Sequence, residues 1–276
     1  MLQNLREYQK PDNVEEAWEL YTQDPGHTLF STGGLSTALR EDRGTKRLID
    51  ISGVLPSGLE KQKRPEPDAF ERTVMGGAMT INEAIDALDG HFLTPVLKQV
   101  GSNQIRNMAT VSGSVAQRYG WSDILTALLA AKAKLKIYNG KYREMPLAQY
   151  LRNREKAIVL SVIVPDRFNS GAFQTMTRTH YDVSQFNLFL AASVENGTIH
   201  SAGLACGARP AAAVELKATE LLIKGSYEDL HSKMEEITKT AVGEAGLGNG
   251  MDLSKEYREE LLAVYIKRAV KAVTGF

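Results

Sequence analysis

The stretch "VGSNQIRNMATVSGSVAQRYGWSD", Val100 to Asp123, is crowded with glycine, serine, asparagine and threonine and carries only short apolar insertions. It runs directly into "SDILTALLAAKA" (122–133), the most apolar helix-like segment of the chain. So many backbone-exposing residues ahead of a buried helix call for a reason other than solvent exposure. Glycine permits positive φ and close backbone approach, so successive amides can converge on one anion. Serine and threonine hydroxyls add donors without bulk. A second stretch of this kind, "STGGLST" (31–37), follows a short strand in "HTLFSTGG". One Gly-Gly pair reads as a plain tight turn; two glycine/hydroxyl loops, each abutting a strand or helix start, suit a pyrophosphate.

Upstream, "PDNVEEAWELYTQDPG" predicts a helix capped by Asp12 or Asn13, with Glu15 and Glu16 at its positive end and Pro25-Gly26 as its stop. "HTLFS", "RLIDIS" and "RTVMGGAMT" read as strands, "INEAIDAL" as a helix, and "EKQKRPEPD" (60–68) as a solvated charged loop. Downstream, "KLKIYN", "GKYREMPL" and "AIVLSVIVP" read as strands or strand-like connections. "PDRFNSG", Pro165 to Gly171, clusters turn residues after a strong strand and marks a boundary. Beyond it "FQTMTRT", "FNLFLAASV" and "TIHSAGLACGA" predict three strands, the last two joined by the tight turn "ENG" at 195–197. From Pro210 the chain reads as helical to its end, in segments starting near Ala211, Tyr227 and Lys255. Strands followed by helices make an α+β unit.

Composition narrows the function. With 276 residues the chain suits two domains, and 33 basic against 33 acidic residues lack the excess a nucleic-acid binder needs. The one cysteine, Cys206, allows neither an internal disulfide nor a cysteine-ligated cluster, and in "AGLACGA" it reads as a small buried hydrophobe. Histidines 27, 91, 180, 200 and 231 match no metal-ligand spacing. No nucleophile elbow, phosphate loop or G-x-G-x-x-G is present. The N-terminus lacks the pattern of a signal peptide and no apolar run approaches spanning length, so the expectation is a soluble cytoplasmic protein with no metal on this chain.

"FSTGGLSTALREDRGTKRLIDISGV" resembles the A-G-G-T-D/S-L … L-I-D-I segment of the FAD-binding flavoprotein subunits of molybdenum hydroxylases, the carbon monoxide and xanthine dehydrogenase type. "MGGAMTINEAI" is similar to that family's I-G-A-x-T-T segment, and "GSNQIRNMATVSGSVA…SD" to its signature G-S-x-Q-I-R-N-x-G-T-I-G-G-N-I-A … x-D. The likeness continues through "REMPLAQY", "IVLSVIVP" and "ENGTIHSAGLACGARPAAAVE" to "YREELLAVYIKRAV". It implies an α+β fold: a vanillyl-alcohol-oxidase-like, PCMH-type FAD-binding domain at 1–168, with subdomains of about 1–54 and 55–168. A small antiparallel-sheet-plus-helices domain of the CO dehydrogenase flavoprotein type would follow at 169–276.

The resemblance also implies a site. Thr32, Gly33, Gly34, Leu35 and Ser36 would form one loop around the FAD pyrophosphate, and Thr110, Val111, Ser112, Gly113 and Ser114 the other. Asp123 would match an aspartate near the ribose or adenylate side; Arg106 and Asn107 would brace the second loop. Ile51 and "GGAMT" would pack beneath the cofactor, and Arg178, with Asp182, would lie near the flavin. The chain departs from the family at Ser112 and Ser114, where Gly and Asn are usual, at Leu35, and at Thr175, which stands for a lysine. Positive φ at Ser112 would cost on the order of 1 kcal/mol. The implied activity is non-covalent FAD-dependent electron transfer. Electrons would come from a partner with two [2Fe–2S] clusters, fed by a molybdopterin subunit, and pass to NAD or another acceptor. The alternative is a flavin-free scaffold subunit of the same kind of complex.

Overall fold

Asn13 starts the first helix: its side-chain oxygen accepts the Glu16 amide at 2.8 Å, opening α1 (Val14–Gln23). The structure, a computed structural model, describes residues 2, 4–39, 44–63, 70–223, 227–250 and 252–275. α1 lies against a parallel sheet of β1 (Glu7–Gln9), β2 (Thr28–Ser31) and β3 (Arg47–Asp50), in the order β1-β3-β2. Val14, Ala17 and Tyr21 are buried with Ile49 and Ile51, and Tyr21 and Trp18 pack on Phe30 at ring separations of 5.0 and 6.4 Å. Between β2 and β3 sits α2 (Leu35–Leu39), so the first glycine pair lies at the carboxyl end of a parallel strand. Ligands of α/β units gather at such ends.

The next unit is an antiparallel sheet ordered β4-β5-β8-β6-β7. Its strands are β4 (Leu59–Gln62), β5 (Arg72–Gly76), β6 (Lys134–Tyr138), β7 (Tyr142–Pro146) and β8 (Ile158–Pro165). Helices α3 (Ile81–Ala87), α4 (Thr94–Lys98), α5 (Asn103–Met108), α6 (Val111–Ala116) and α7 (Asp123–Ala130) connect β5 to β6, and α8 (Leu147–Asn153) follows β7. Every residue from Ile158 to Val164 is buried because β8 separates two cores. Val159, Val162 and Val164 face the core with α7, while Ile158 and Leu160 join that of α1 and β3. This explains an unbroken apolar run in an antiparallel strand, where one wet face is the norm.

The last sheet runs β12-β11-β10-β9, built of β9 (Ser170–Met176), β10 (Phe186–Glu195), β11 (Thr198–Gly207) and β12 (Val214–Glu215). Asn196 and Gly197 both take positive φ, 50° and 75°, which makes the "ENG" turn a tight two-residue hairpin. Helices α9 (Tyr227–Ser232), α10 (Met234–Ala245) and α11 (Lys255–Thr274) follow; α11 lies on β9 and β10 and buries Leu262, Ile266 and Val270, and α10 packs on α11 with Ile237 and Ala241 in the same core.

Three expectations need correction. The segment after Pro210 is not helical from Ala211: Val214–Glu215 pairs with Ala205 and Cys206, and only a 3-10 turn (Lys217–Leu222) follows. The charged stretch 60–68 begins as strand, Glu60 to Gln62 pairing with Arg72 to Val74, while 64–68 lie outside the described residues. The second glycine/hydroxyl loop is largely helical, since α6 starts at Val111 with Thr110 as its cap. Ser112 therefore sits in ordinary helical backbone and is absent from the positive-φ positions, so no left-handed strain arises there.

Candidate cofactor site

The two loops meet. Thr32 Oγ1 and Thr110 Oγ1 lie 2.7 Å apart, 78 residues distant in sequence. A Cβ on Gly33 would fall 1.6 Å from the Met108 carbonyl oxygen, so only glycine lets the first loop reach α5. Gly113 faces the same contact, its missing Cβ 3.0 Å from Thr110 Oγ1 and 3.3 Å from Thr32 Oγ1.

The loops differ in what they leave free. In the second, the Val111 amide donates to Met79 O (2.8 Å), Ser112 to Gly77 O (3.0 Å), Gly113 to Thr110 Oγ1 (3.1 Å) and Ser114 to Thr110 O (2.9 Å). Its amides are engaged, Thr110 and Ser112 are buried, and Ser114 is its one partly exposed hydroxyl. In the first, no acceptor among the described residues takes the Gly33 or Gly34 amide. Gly34 has φ +76° and nothing within 4 Å of its Cβ position. Ser31, Thr32, Gly33, Gly34 and Thr37 line an open cavity of about 390 Å³ together with Tyr8, Leu48 and Asp50. Amides without an acceptor among the described residues, an open face at Gly34 and the neighbouring Ser31, Thr32 and Thr37 hydroxyls fit the pyrophosphate of a dinucleotide. The cavity's one carboxylate, Asp50, accepts from Tyr8 Oη (2.6 Å) and Ser52 Oγ (2.6 Å).

Arg106 and Asn107 act on α5. Arg106 Nη1 donates to the carbonyls of Lys98, Val100 and Gly101, and its Nε to Asn82 Oδ1 at 3.1 Å. Asn82 Nδ2 in turn donates to Asn107 Oδ1 (2.5 Å) and Asn103 Oδ1 (2.8 Å). This network positions α5 and hence the Met108 carbonyl against Gly33. Asn82 was not foreseen: it is an ordinary helix residue whose three partners lie 21 to 25 residues away.

Asp123 stands apart from these loops. Ser122 caps α7, while the Asp123 carboxylate turns to the C-terminal sheet: Ser184 Oγ donates to its Oδ1 at 2.5 Å and Asn187 Nδ2 to the same atom at 2.6 Å. Thr175 continues the chain, 2.7 Å from Ser184 Oγ. Arg178, exposed, pairs with Asp182 at 3.0 Å and Asp252 at 3.2 Å. Asp182 Oδ1 accepts the Val183 amide, so Arg178 belongs to the same connection as Ser184. Ser36 and Leu35 open α2 beside the cavity.

Burial pushes Asp123 up from 3.8 to about 6, against the two hydrogen bonds, which pull it down. Below about pH 4 both folded and unfolded chains hold this proton. Between about pH 4 and 6 the unfolded chain has lost it and the folded one keeps it, so this stabilisation is lost as pH rises through 6. Asp123→Asn keeps an acceptor oxygen and removes the charge. At pH 7.5 it should be more stable than the parent by roughly 2–3 kcal/mol, and at pH 3.5 equal to it. Thermal melts at the two pH values check this; a difference that does not vary with pH contradicts it.

Residues 3–167 match the family described as FAD binding domain in molybdopterin dehydrogenase, and residues 171–273 the CO dehydrogenase flavoprotein C-terminal domain. The chain belongs to this flavoprotein family. It is a molybdenum hydroxylase-type oxidoreductase subunit, similar to those of carbon monoxide dehydrogenase. Among curated proteins, none matches it. Among solved structures, carbon monoxide dehydrogenase from Hydrogenophaga pseudoflava, in a form lacking the Mo-pyranopterin moiety of the molybdenum cofactor, superposes with a TM-score of 0.85 at 19% identity. Quinoline 2-oxidoreductase from Pseudomonas putida 86 gives 0.82 at 18%, and reconstituted CO dehydrogenase from Oligotropha carboxidovorans 0.83 at 16%. Each covers 100% of this flavoprotein chain and 99% of its own matched chain. At these identities the likeness establishes the fold, the α+β arrangement the resemblance implied. No helix among the described residues of this flavoprotein-family chain is long and apolar enough to cross a membrane.

Proposed function

We propose that the chain binds FAD non-covalently and serves as the electron-transfer subunit of a molybdopterin-dependent hydroxylase or dehydrogenase. The observation that carries this is the Thr32–Thr110 contact, which holds the free Gly33 and Gly34 amides over an open cavity. In this reading Thr32 to Ser36 hold the pyrophosphate through backbone amides and hydroxyls. Ser114 adds a hydroxyl, with Thr110, Val111, Ser112 and Gly113 shaping the face that bears it. Arg106 and Asn107 brace that face, Asp123 meets the adenosine side, and Arg178 lies toward the flavin. Residues 1–168 form the FAD-binding domain, divided near 54, and 169–276 a C-terminal domain.

FAD, when bound, supplies the reversible redox chemistry. This chain orients it through the loop from Thr32 to Ser36. The partners are an iron–sulfur subunit with two [2Fe–2S] clusters and a molybdopterin-binding catalytic subunit, in the cytoplasm, with NAD or another molecule as acceptor. The solved structures named above are two carbon monoxide dehydrogenases, one described with a molybdenum cofactor, and a quinoline 2-oxidoreductase, which supports the assembly.

Titrating purified protein with FAD should give a perturbed flavin spectrum, quenched fluorescence and a dissociation constant at or below micromolar, about 8 kcal/mol of binding or more. The engaged amides of the second loop favour one alternative, a flavin-free scaffold subunit of the same complex. A folded protein that binds no FAD selects that alternative, and a stable solitary monomer counts against the assembly.

A further inference from the structure

The Asp123 carboxylate has two oxygens in unlike situations. Oδ1 takes both hydrogen bonds, from Ser184 and Asn187. Oδ2 takes none among the described residues, and it is not among the buried atoms left without a partner, so it keeps access to an incoming donor. Ser184 and Asn187 are themselves 1% and 0% exposed, and each is held by a further group. Because Ser184 gives its proton to Asp123, the 2.7 Å contact with Thr175 is one in which the threonine donates to Ser184 Oγ. Thr126 Oγ1 donates to Asn187 Oδ1 at 2.8 Å, fixing the amide so that its NH2 points to Asp123. A Cβ on Gly207 would lie 2.4 Å from Thr126 Oγ1 and 2.5 Å from Asn187 Oδ1, so the strand beside them admits nothing larger. The network is therefore preorganised from the C-terminal sheet, around an aspartate carried by the other half of the chain.

We propose that Ser184 and Asn187 are positioning residues for FAD: they hold Asp123 through Oδ1 so that Oδ2 is the oxygen offered to the ribose hydroxyls of the adenosine half. The inference rests on the FAD reading above and adds to it two residues from outside the FAD-binding segment. It also ties the affinity for the dinucleotide to a proton. A carboxylate accepts from a diol better than a carboxylic acid does, and burial holds Asp123 at about 6. Among the described residues no charged group acts on Asp123. α7 carries no second ionisable group, β9 contributes Thr175, β10 contributes Asn187, and the charged pair on the β9–β10 connection, Arg178 with Asp182, is engaged with itself and with Asp252.

The test is the affinity of the full chain for FAD and for FMN, which lacks the adenosine half, measured by flavin fluorescence from pH 5 to 8. The parent protein should bind FAD more tightly as pH rises through about 6 and then level off, with FMN affinity flat over the same range. Ser184→Ala removes a bond that favours the charged carboxylate, so the midpoint should move upward, and FAD affinity at pH 7 should fall about tenfold with FMN changed less than twofold. Ser184→Thr, which keeps the hydroxyl, should restore both. If Ser184→Ala folds and binds FAD with the parent's FAD-to-FMN ratio and pH midpoint, the two residues only pack the seam and the inference is wrong. If the parent binds neither flavin, the FAD reading itself fails and takes this one with it.

Discussion

Gly33→Ala abolishes FAD retention: at least a hundredfold loss of affinity, about 2.7 kcal/mol or more, is expected in flavin titrations. The added methyl would start 1.6 Å from the Met108 carbonyl oxygen, less than half an ordinary contact distance, and a backbone atom cannot swing aside as a side chain can. The loop must back away from α5, breaking the 2.7 Å Thr32–Thr110 contact that sets the free amides over the cavity. Overpacking of this kind also costs stability, on the order of 1–3 kcal/mol, so folding is checked alongside by circular dichroism. Gly53→Ala is the control, with no atom within 4 Å of its new methyl and ordinary φ, and it should bind as the parent does. Near-normal FAD binding by folded Gly33→Ala would show that the loop contact does not form the cradle.

Arg258→Met should be the most destabilising single change in the C-terminal half. The side chain is wholly buried on α11, with no carboxylate partner among the described residues. Its guanidinium instead donates to the carbonyls of Ala208, Gln185, Gly248, Gly250 and Leu253, closing the ends of β10 and β11 and the turn before α11 around one cation. Methionine fills much of the volume yet leaves these oxygens without a donor in the interior. A loss of about 3–5 kcal/mol follows, lowering the melting temperature by roughly 10 °C. Lysine keeps the charge but not the planar fork, and should recover less than half of the loss. Because Gln185 adjoins Ser184, Arg258→Met should also loosen FAD binding before the protein melts. A melting temperature within 2 °C of the parent would mean that water replaces the guanidinium without cost, contrary to its burial.

Much of the fold was legible because the chain states it locally. Asn13 before "VEEAWELY", Asn196-Gly197 between alternating apolar runs, and the long apolar "AIVLSVIVP" each carry their structure in a few residues. The short helices α4, α5 and α8, of five to seven residues, were not, since so few turns show no apolar period. Val214–Glu215 is strand only because Ala205 and Cys206 are there to pair with it, which "AAAVELKATELL" alone does not reveal. From its glycines the first loop reads as an anion site, and its Gly33 and Gly34 amides have no acceptor among the described residues. For the second, the same residue types were read as backbone donors, and the structure turns those donors inward to Met79 and Gly77, leaving Ser114 as the partly exposed hydroxyl. Asp123 illustrates the limit most clearly. Its helix position follows from "SDIL", but the partners that govern its charge lie 61 and 64 residues further along.

α7 has no face toward water: from Ile124 to Ala130 every residue is buried, some in the core of the five-stranded sheet and some against β10 and β11. Gly203 of β11 lets the Ala130 carbonyl approach to where a Cβ would be 1.8 Å away. The two segments that join near residue 169 are thus separate in sequence but share one wall. Cut there, each fragment would carry half of that wall bare and prone to stick to its own copies. Exchanging one half of the chain for that of a distant relative should keep this wall packed best when α7 and the β10–β11 hairpin come from the same parent. The heritable module of this chain therefore straddles its most obvious seam.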